Sequence, residues 1–306
     1  MNFIKIAQET IKITNDKCYE LLGETISLLP MDFEAVDVYS PERTACLTIN
    51  IPDKNNAEIT VINLDSFQAA SKFESPLVMN FANAYMAGGG FKMGSPAQEE
   101  SLCRCSTLYA SISSEKAVEM YHYNKTKHTV LESDYMLLSP QVCVFRDEEC
   151  RLLKKPFSVS VITAPAPNRR GTAMFASETR IAETFTRRIE ILCKIAAVNG
   201  YKNLVLGAWG CGAFGNNAQK VAEYFRIVLL DLGYAKCFNN ICFAIYGDAK
   251  SPNYMAFKNI FFKLYYFIYI MSTFCRRYSI YGMDKYFWID LCCSYYDTKY
   301  NLCSKM

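Results

Sequence analysis

Residues 76–100 read PLVMNFANAYMAGGGFKMGSPAQEE, and the fold is read outward from them. Pro76 to Phe81 is a short apolar run bounded by proline and polar residues, which suits a buried strand. The segment from Asn83 ends in Gly88, Gly89 and Gly90. Three consecutive glycines remove three side chains and permit backbone angles that other residues avoid. Such a loop lets the backbone approach a ligand and aim N–H groups at its oxygens; by itself it reads equally as a mobile turn. Beyond it, Pro96 and the acidic pair Glu99–Glu100 suit the first turn of a helix. Strand, glycine loop and helix start thus follow one another within 25 residues.

The flanking chain repeats this order. Residues 2–14 carry Phe3, Ile4, Ala7 and Ile11 at helical spacing. Glu58 to Leu64 alternates like a strand, and Pro156 to Ala164 is a second apolar run. Arg180 to Val198 places Ile181, Phe185, Ile189, Leu192 and Ile195 on one helical face and stops at Asn199–Gly200. Leu204 to Ala208 is a strand, Val221 to Leu232 a helix ending at Gly233, and Ile241 to Tyr246 the next strand. This alternation predicts an α/β layered domain with helices packed on a sheet. Ligands in such folds bind beyond the carboxyl ends of strands.

A second glycine loop, Gly207 to Asn217, follows the strand ending at Ala208. Asn217 is a good N-cap for the next helix, and a glycine loop before a helix N-terminus favours anions. Gly210-Cys211-Gly212-Ala213-Phe214-Gly215 matches G-x-G-x-x-G, a weak pattern alone. A nicotinamide fold also wants an acidic residue about 20 positions on, ending the next strand; here that strand ends later, at Gly247-Asp248. The loop is read as a diphosphate site.

An isolated Glu-Glu is usually a solvated helix end. Here the pair follows the triple glycine closely, so it lies near whatever that loop binds. Adjacent helical residues point about 100° apart, which assigns Glu99 and Glu100 different roles. A carboxyl beside a bound sugar-phosphate is a general acid/base candidate, because nearby negative charge favours its protonated form. No second well-placed carboxylate offers the usual two-carboxylate arrangement, so one carboxyl would act first as acid and then as base. Cys211 as a nucleophile is set aside, since no histidine signal accompanies it. Tyr85, Phe91 and Trp209 read equally as pocket or core.

Composition narrows the class. The chain has 306 residues, 51% hydrophobic and 21% charged, with net charge +3 and two histidines. Direct nucleic-acid binding is not expected from so weak a charge. No metal is expected: Cys103 and Cys105 form a C-x-C pair without a second pair or a nearby histidine. No signal peptide is visible, so the 14 cysteines are read as reduced thiols of a cytoplasmic or nuclear protein. The composition shifts near residue 258. In the tail, 259–306, 15 of 48 residues are aromatic, and its charges account for the whole +3. Ile260 to Cys275 is apolar except for Lys263, but its 16 residues fall short of the roughly 20 that span a bilayer. Interfacial contact, packing on the body and lack of fixed structure remain open, with membrane contact disfavoured. A monomer is expected.

The spacing Gly88-Gly89-Gly90, seven residues, Gln98-Glu99-Glu100 resembles the signature of microbial-type poly(ADP-ribose) glycohydrolases. Ser101 to Tyr109, Val161 to Asn168, Gly207 to Asn216 and the N-terminal Ile6 to Thr10 are similar to that family in the same order. The likeness covers about residues 1–258. It implies a three-layer α/β/α macrodomain-like sandwich with a mixed sheet, preceded by a helical extension. It implies hydrolysis of the ribose–ribose bond at the free end of poly(ADP-ribose), releasing ADP-ribose without a cofactor. The substrate would be that polymer or another ADP-ribosylated macromolecule. Carried over by motif, Glu100 matches the acid/base and Glu99 the carboxylate that holds ribose hydroxyls. Gln98, Gly88, Gly89, Gly90 and Asn83 match the surroundings of the distal ribose. Gly210, Cys211, Gly212, Ala213 and Phe214 match the diphosphate loop, with Phe214 against the ribose. The family usually has Asn-Pro before the glycines, where Met86-Ala87 stand here; this bears on loop rigidity and leaves linkage preference open. The alternatives are an ADP-ribose reader, which would need the loops but not the acid, and a hydrolase of another ADP-ribose linkage.

Overall fold

The computed structural model describes residues 1–127 and 129–261. It begins with α1 (Phe3–Asp16), capped by the Asn2 side chain on the Lys5 N–H, and a hairpin of β1 (Cys18–Leu21) and β2 (Glu24–Ser27). Then come β3 (Asp37–Tyr39), α2 (Pro41–Ala45), β4 (Glu58–Ile62), α3 (Ser66–Ala70) and β5 (Leu77–Ala82). Three helices follow: α4 (Gln98–Cys105), α5 (Leu108–Ile112) and α6 (Val118–Lys127). The chain continues as β6 (Met136–Arg146), β7 (Leu152–Pro165), α7 (Glu178–Val198), β8 (Asn203–Leu206), α8 (Ala218–Arg226) and β9 (Asn240–Ala244). A further helical segment covers 252–261.

Seven strands form one sheet in the order β3-β6-β7-β5-β8-β9-β4. The pairs from β7 to β4 are parallel, and β6 runs antiparallel to both β3 and β7. Side chains alternate between two layers, as the period of a strand requires. Leu77, Met79, Leu204, Leu206, Ile241 and Phe243 face the core built with α7 and α8. Val78, Val205, Cys242 and Ala244 face the core built with α1, α3, α4, α5 and α6. Helices therefore cover both faces of a mixed sheet, the expected α/β/α sandwich.

Three differences from the sequence reading have physical causes. The strand read at Pro156–Ala164 begins earlier, at Leu152, because it forms a long hairpin with β6. β6 shows no continuous strand pattern in the sequence because Pro140 interrupts its apolar run; the ladder shifts register between Ser139 and Val142, which accommodates the proline. The helix read to Leu232 is α-helical only to Arg226 and then widens to a π-turn over Ile227–Asp231, closed by the Leu232 N–H on the Ile227 carbonyl at 2.9 Å. The composition break at 258 falls inside the helical segment 252–261, whose Phe257 and Phe261 join the α7–α8 core. The tail from residue 262, including most of the Ile260–Cys275 stretch, lies outside the described residues. Among those residues, no helix is long and apolar enough to cross a membrane.

Candidate active site

The site lies where β5, β7 and β8 end. β8 pairs with β5 only through Leu77 and Val78, then leaves the sheet at Gly207. A Cβ there would lie 2.7 Å from the Ala244 carbonyl oxygen and 2.9 Å from the Phe81 ring, so the close passage needs glycine. The last residues of β5 consequently lack a strand partner on that side. Gln98, the first residue of α4, supplies one with its side chain. Its Oε1 accepts from the Phe81 N–H at 2.9 Å and its Nε2 donates to the Met79 carbonyl at 2.8 Å and to Ser66 Oγ at 3.1 Å. Backbone groups left unpaired by the short strand are thereby satisfied.

The two carboxylates then diverge, as their angular offset requires. Glu99 turns inward and is 3% exposed. Its Oε2 accepts from the Asn83 N–H at 2.7 Å and its Oε1 from Asn80 Nδ2 at 3.3 Å. Burial pushes its pKa up to about 8, and the neighbouring Glu100 charge adds to this against hydrogen bonds from Asn83, Asn80 and Gly88. At neutral pH Glu99 is therefore mostly protonated. Glu100 Oε1 accepts from the Gly90 N–H at 2.9 Å.

The triple glycine is bent to fit this pair. Asn83 Oδ1 accepts from the N–H groups of Tyr85 and Met86 at 2.8 and 3.1 Å, which turns the chain. Gly88 and Gly89 then adopt φ +69° and +52°. A Cβ on Gly89 would lie 2.6 Å from Glu100 Oε1 and 3.2 Å from Glu99 Oε2, and one on Gly90 would lie 2.1 Å from Ser95 Oγ. The absent side chains make room for the carboxylates and for the turn that delivers the Gly90 N–H.

The loop after β8 forms the other wall. Trp209 is fully buried and donates Nε1–H to the Ala164 carbonyl at 3.1 Å. Asn216 Nδ2 donates to the carbonyls of Pro167 and Gly210 at 2.8 and 3.0 Å, closing the loop on itself. Gly210 has φ +71°, and a Cβ there would strike Asn216 Nδ2 at 2.7 Å and Ala166 Cβ at 2.8 Å. Within this frame the N–H groups of Gly212, Ala213 and Phe214 have no acceptor among the described residues. Successive free amides of this kind are an anion nest, and α8 begins just beyond, capped by Asn217 on the Lys220 N–H at 3.1 Å.

A cavity of about 680 Å³ joins the two walls. Asn83, Gln98, Glu99 and Glu100 line one side; Gly210, Gly212, Ala213 and Phe214 line the other. Gly88, Gly89, Gly90 and Cys211 do not line it. The glycines pack against the carboxylates, and the half-buried Cys211 has its thiol pushed up to about 12 by desolvation, the wrong direction for a nucleophile. Phe91 and Trp209 are core residues. Tyr85 is half-buried, turned to Glu132 and Thr172. Sequence reasoning missed Asn80, a fully buried amide on β5 that bridges Glu99 and Thr163 Oγ1. Its signal was a polar residue inside an otherwise apolar strand. Among the described residues, no cluster of three or more histidine, cysteine or carboxylate side chains could hold a metal ion.

A macrodomain-like sandwich with an acid pair facing an anion nest defines a class of ADP-ribose-handling folds, and comparison places the chain within it. The family model for the microbial-type PARG catalytic domain matches residues 7–147. Poly(ADP-ribose) glycohydrolase from Thermomonospora curvata is 35% identical, with TM-score 0.78 over 85% of this chain and 99% of that one. The same enzyme bound to the inhibitor ADP-HPD gives 35% and 0.76 over the same shares. The Deinococcus radiodurans enzyme in complex with ADP-ribose is 34% identical, with TM-score 0.68 over 76% of this chain and 95% of that one. No curated protein sequence matches. The chain belongs to the microbial-type poly(ADP-ribose) glycohydrolase family.

Proposed function

We infer that this protein is a poly(ADP-ribose) glycohydrolase that cleaves the ribose–ribose bond at the free end of the polymer and releases ADP-ribose. The observation that carries the reading is the pairing of two differently held carboxylates with three acceptor-free amides across one cavity. The amides of Gly212, Ala213 and Phe214 take the diphosphate, and Phe214 packs against the adjoining ribose. Glu99, buried and mostly neutral, has a proton to share with the ribose hydroxyls. Glu100, fixed by the Gly90 N–H, gives a proton to the leaving ribose oxygen as the glycosidic bond breaks. The oxocarbenium-like centre forms beside the negative diphosphate, which stabilises it. Ionised Glu100 then takes a proton from the attacking water, and the carboxyl is restored.

The test is ADP-ribose release from purified poly(ADP-ribose) by the intact chain and by Glu100→Gln, with ADP-ribose affinity measured for both. Loss of the acid/base should lower kcat by about 10²–10⁴-fold at similar affinity. Tight ADP-ribose binding by the intact chain without release from the polymer would overturn the reading, leaving a binding module or a hydrolase of another linkage.

A further inference from the structure

The cavity wall also includes Arg104, Cys105, Arg146 and Cys150, which the hydrolytic reaction does not use. Cys105 is the last residue of α4, the helix whose first turn carries Glu99 and Glu100. Cys150 lies in the turn between β6 and β7 with φ +61°, a left-handed conformation unusual for a non-glycine residue. That turn is tied on three sides. The Cys150 N–H donates to the Asp147 carbonyl at 2.9 Å, Arg146 Nη1 donates to the Cys150 carbonyl at 2.8 Å, and Cys105 Sγ donates to the Asp147 carbonyl at 3.2 Å.

Both cysteines meet one backbone oxygen, the Asp147 carbonyl, Cys105 through its Sγ and Cys150 through its N–H, and both line the cavity. Arg104 and Arg146 are 2% and 5% exposed, and the Nε of each has no acceptor. Arg146, paired with Glu9 at 3.3 Å, holds the Cys150 backbone, and Arg104 precedes Cys105 in the chain; positive charge near a thiol favours its anion. Of the pair, the Cys150 thiol is pushed down and the Cys105 thiol up by their mutual interaction, and the charges of Arg104 and Arg146 favour the Cys150 anion against burial. Cys103, Cys193 and Cys211 are pushed the other way by burial.

We propose that Cys105 and Cys150 form an oxidation site for small hydroperoxides that closes to a reversible disulfide. The Cys150 thiolate attacks a peroxide oxygen and the O–O bond breaks. With hydrogen peroxide, hydroxide leaves and takes up a proton to become water, and Cys150 becomes a sulfenic acid. The Cys105 sulfur attacks that sulfur, the S–O bond breaks, and the hydroxyl departs as water with the Cys105 thiol proton. The sum is two thiols and one hydrogen peroxide giving one disulfide and two waters.

The site is coupled to the carboxylates through a short chain of bonds. Arg104 Nη1 donates to the Ser95 carbonyl at 2.5 Å, the Ser95 N–H donates to the Gly90 carbonyl at 3.1 Å, and the Gly90 N–H holds Glu100. Oxidation removes the anion beside Arg104 and draws the end of α4 toward the turn. The resulting loss of hydrolysis rests on the function proposed above; the chemical modification does not.

The experiment treats the full chain with hydrogen peroxide and maps unreduced peptides by mass spectrometry, alongside ADP-ribose release. A Cys105–Cys150 linked peptide is expected, with activity reduced about tenfold or more, as displacement of reacting groups on the ångström scale produces, and restored by dithiothreitol. Cys150→Ala should neither cross-link nor lose activity to peroxide. Cys105→Ala should trap Cys150 as a sulfenic acid that a dimedone probe labels. Absence of the linked peptide while other cysteines oxidise would overturn the proposal, as would equal peroxide inactivation of Cys150→Ala. A linked peptide in a chain that releases no ADP-ribose would leave this site standing and remove the hydrolase reading.

Discussion

Replacing Gly89 with alanine tests how the glycine turn shapes the acid pair. The φ of +52° at this position costs an L-residue about 1–2 kcal/mol, which should lower Tm by several degrees. The added Cβ would also lie 2.6 Å from Glu100 Oε1, where ordinary contact begins at 3.4 Å. The carboxylate must therefore retreat by about 0.8 Å, which breaks its 2.9 Å bond from Gly90, and misplacement on this scale costs up to about 10²-fold in rate. Gly200→Ala is the matched control: φ is +78° and nothing lies within 4 Å of the added atom. Both variants should lose stability in thermal unfolding, Gly89→Ala the more by its broken hydrogen bond, but only Gly89→Ala should lose kcat, by about 10- to 100-fold. If Gly89→Ala turns over poly(ADP-ribose) within about twofold of Gly200→Ala at equal folded fraction, the glycine does not act by making room for Glu100, and the coupling argued from its contacts falls.

Two further outcomes follow from the walls of the cavity. Folded Glu99 keeps its proton to about pH 8, whereas an unfolded glutamate loses it near 4.5, so over that window only the unfolded state ionises and stability falls as pH rises. Glu99→Gln should remove this slope, and urea midpoints at about pH 5 and pH 8.5 should show the variant gaining on the native chain; parallel behaviour would show that the buried acid is ionised in the fold. Ala213→Pro deletes one of the three acceptor-free amides and should weaken ADP-ribose binding by about 1.5–3 kcal/mol, the worth of a hydrogen bond to a charged group. Unchanged affinity in calorimetry would remove that amide from the diphosphate contact.

Much of this architecture was legible because periodicity and packing agree. β4, β5, β8 and β9 and helices α1, α7 and α8 are legible from apolar spacing, since β5, β8 and β9 bury alternate side chains in the two cores and α7 and α8 bury an apolar face in one of them. β6 was hidden by Pro140, and the hairpin β1–β2, with mostly intermediate or exposed residues, carries no strong apolar pattern. At the site, the glycine runs and Gln98-Glu99-Glu100 announced themselves by residue type. Their division of labour did not. Whether Gln98 faces a ligand or completes a strand depends on where β8 stops, which is a tertiary fact. Asn80 was read as part of an apolar strand, because a single buried amide is recognisable only through its partner. The oxidisable pair Cys105 and Cys150 is separated by 44 intervening residues, and no local spacing rule joins them.

The early departure of β8 has a consequence for how this cleft persists through change. Opening a sheet between two neighbouring strands normally exposes backbone edges that water or another chain will claim. Here one glutamine amide occupies the vacated edge of β5, so the split needs neither an extra strand nor a bound ligand to hold it open. The same residue is the first of the helix that bears both carboxylates. The opening and the acid pair are thus set by one joint, and sequence can drift around the mouth of the cleft while its depth and the seat of its chemistry stay registered to each other.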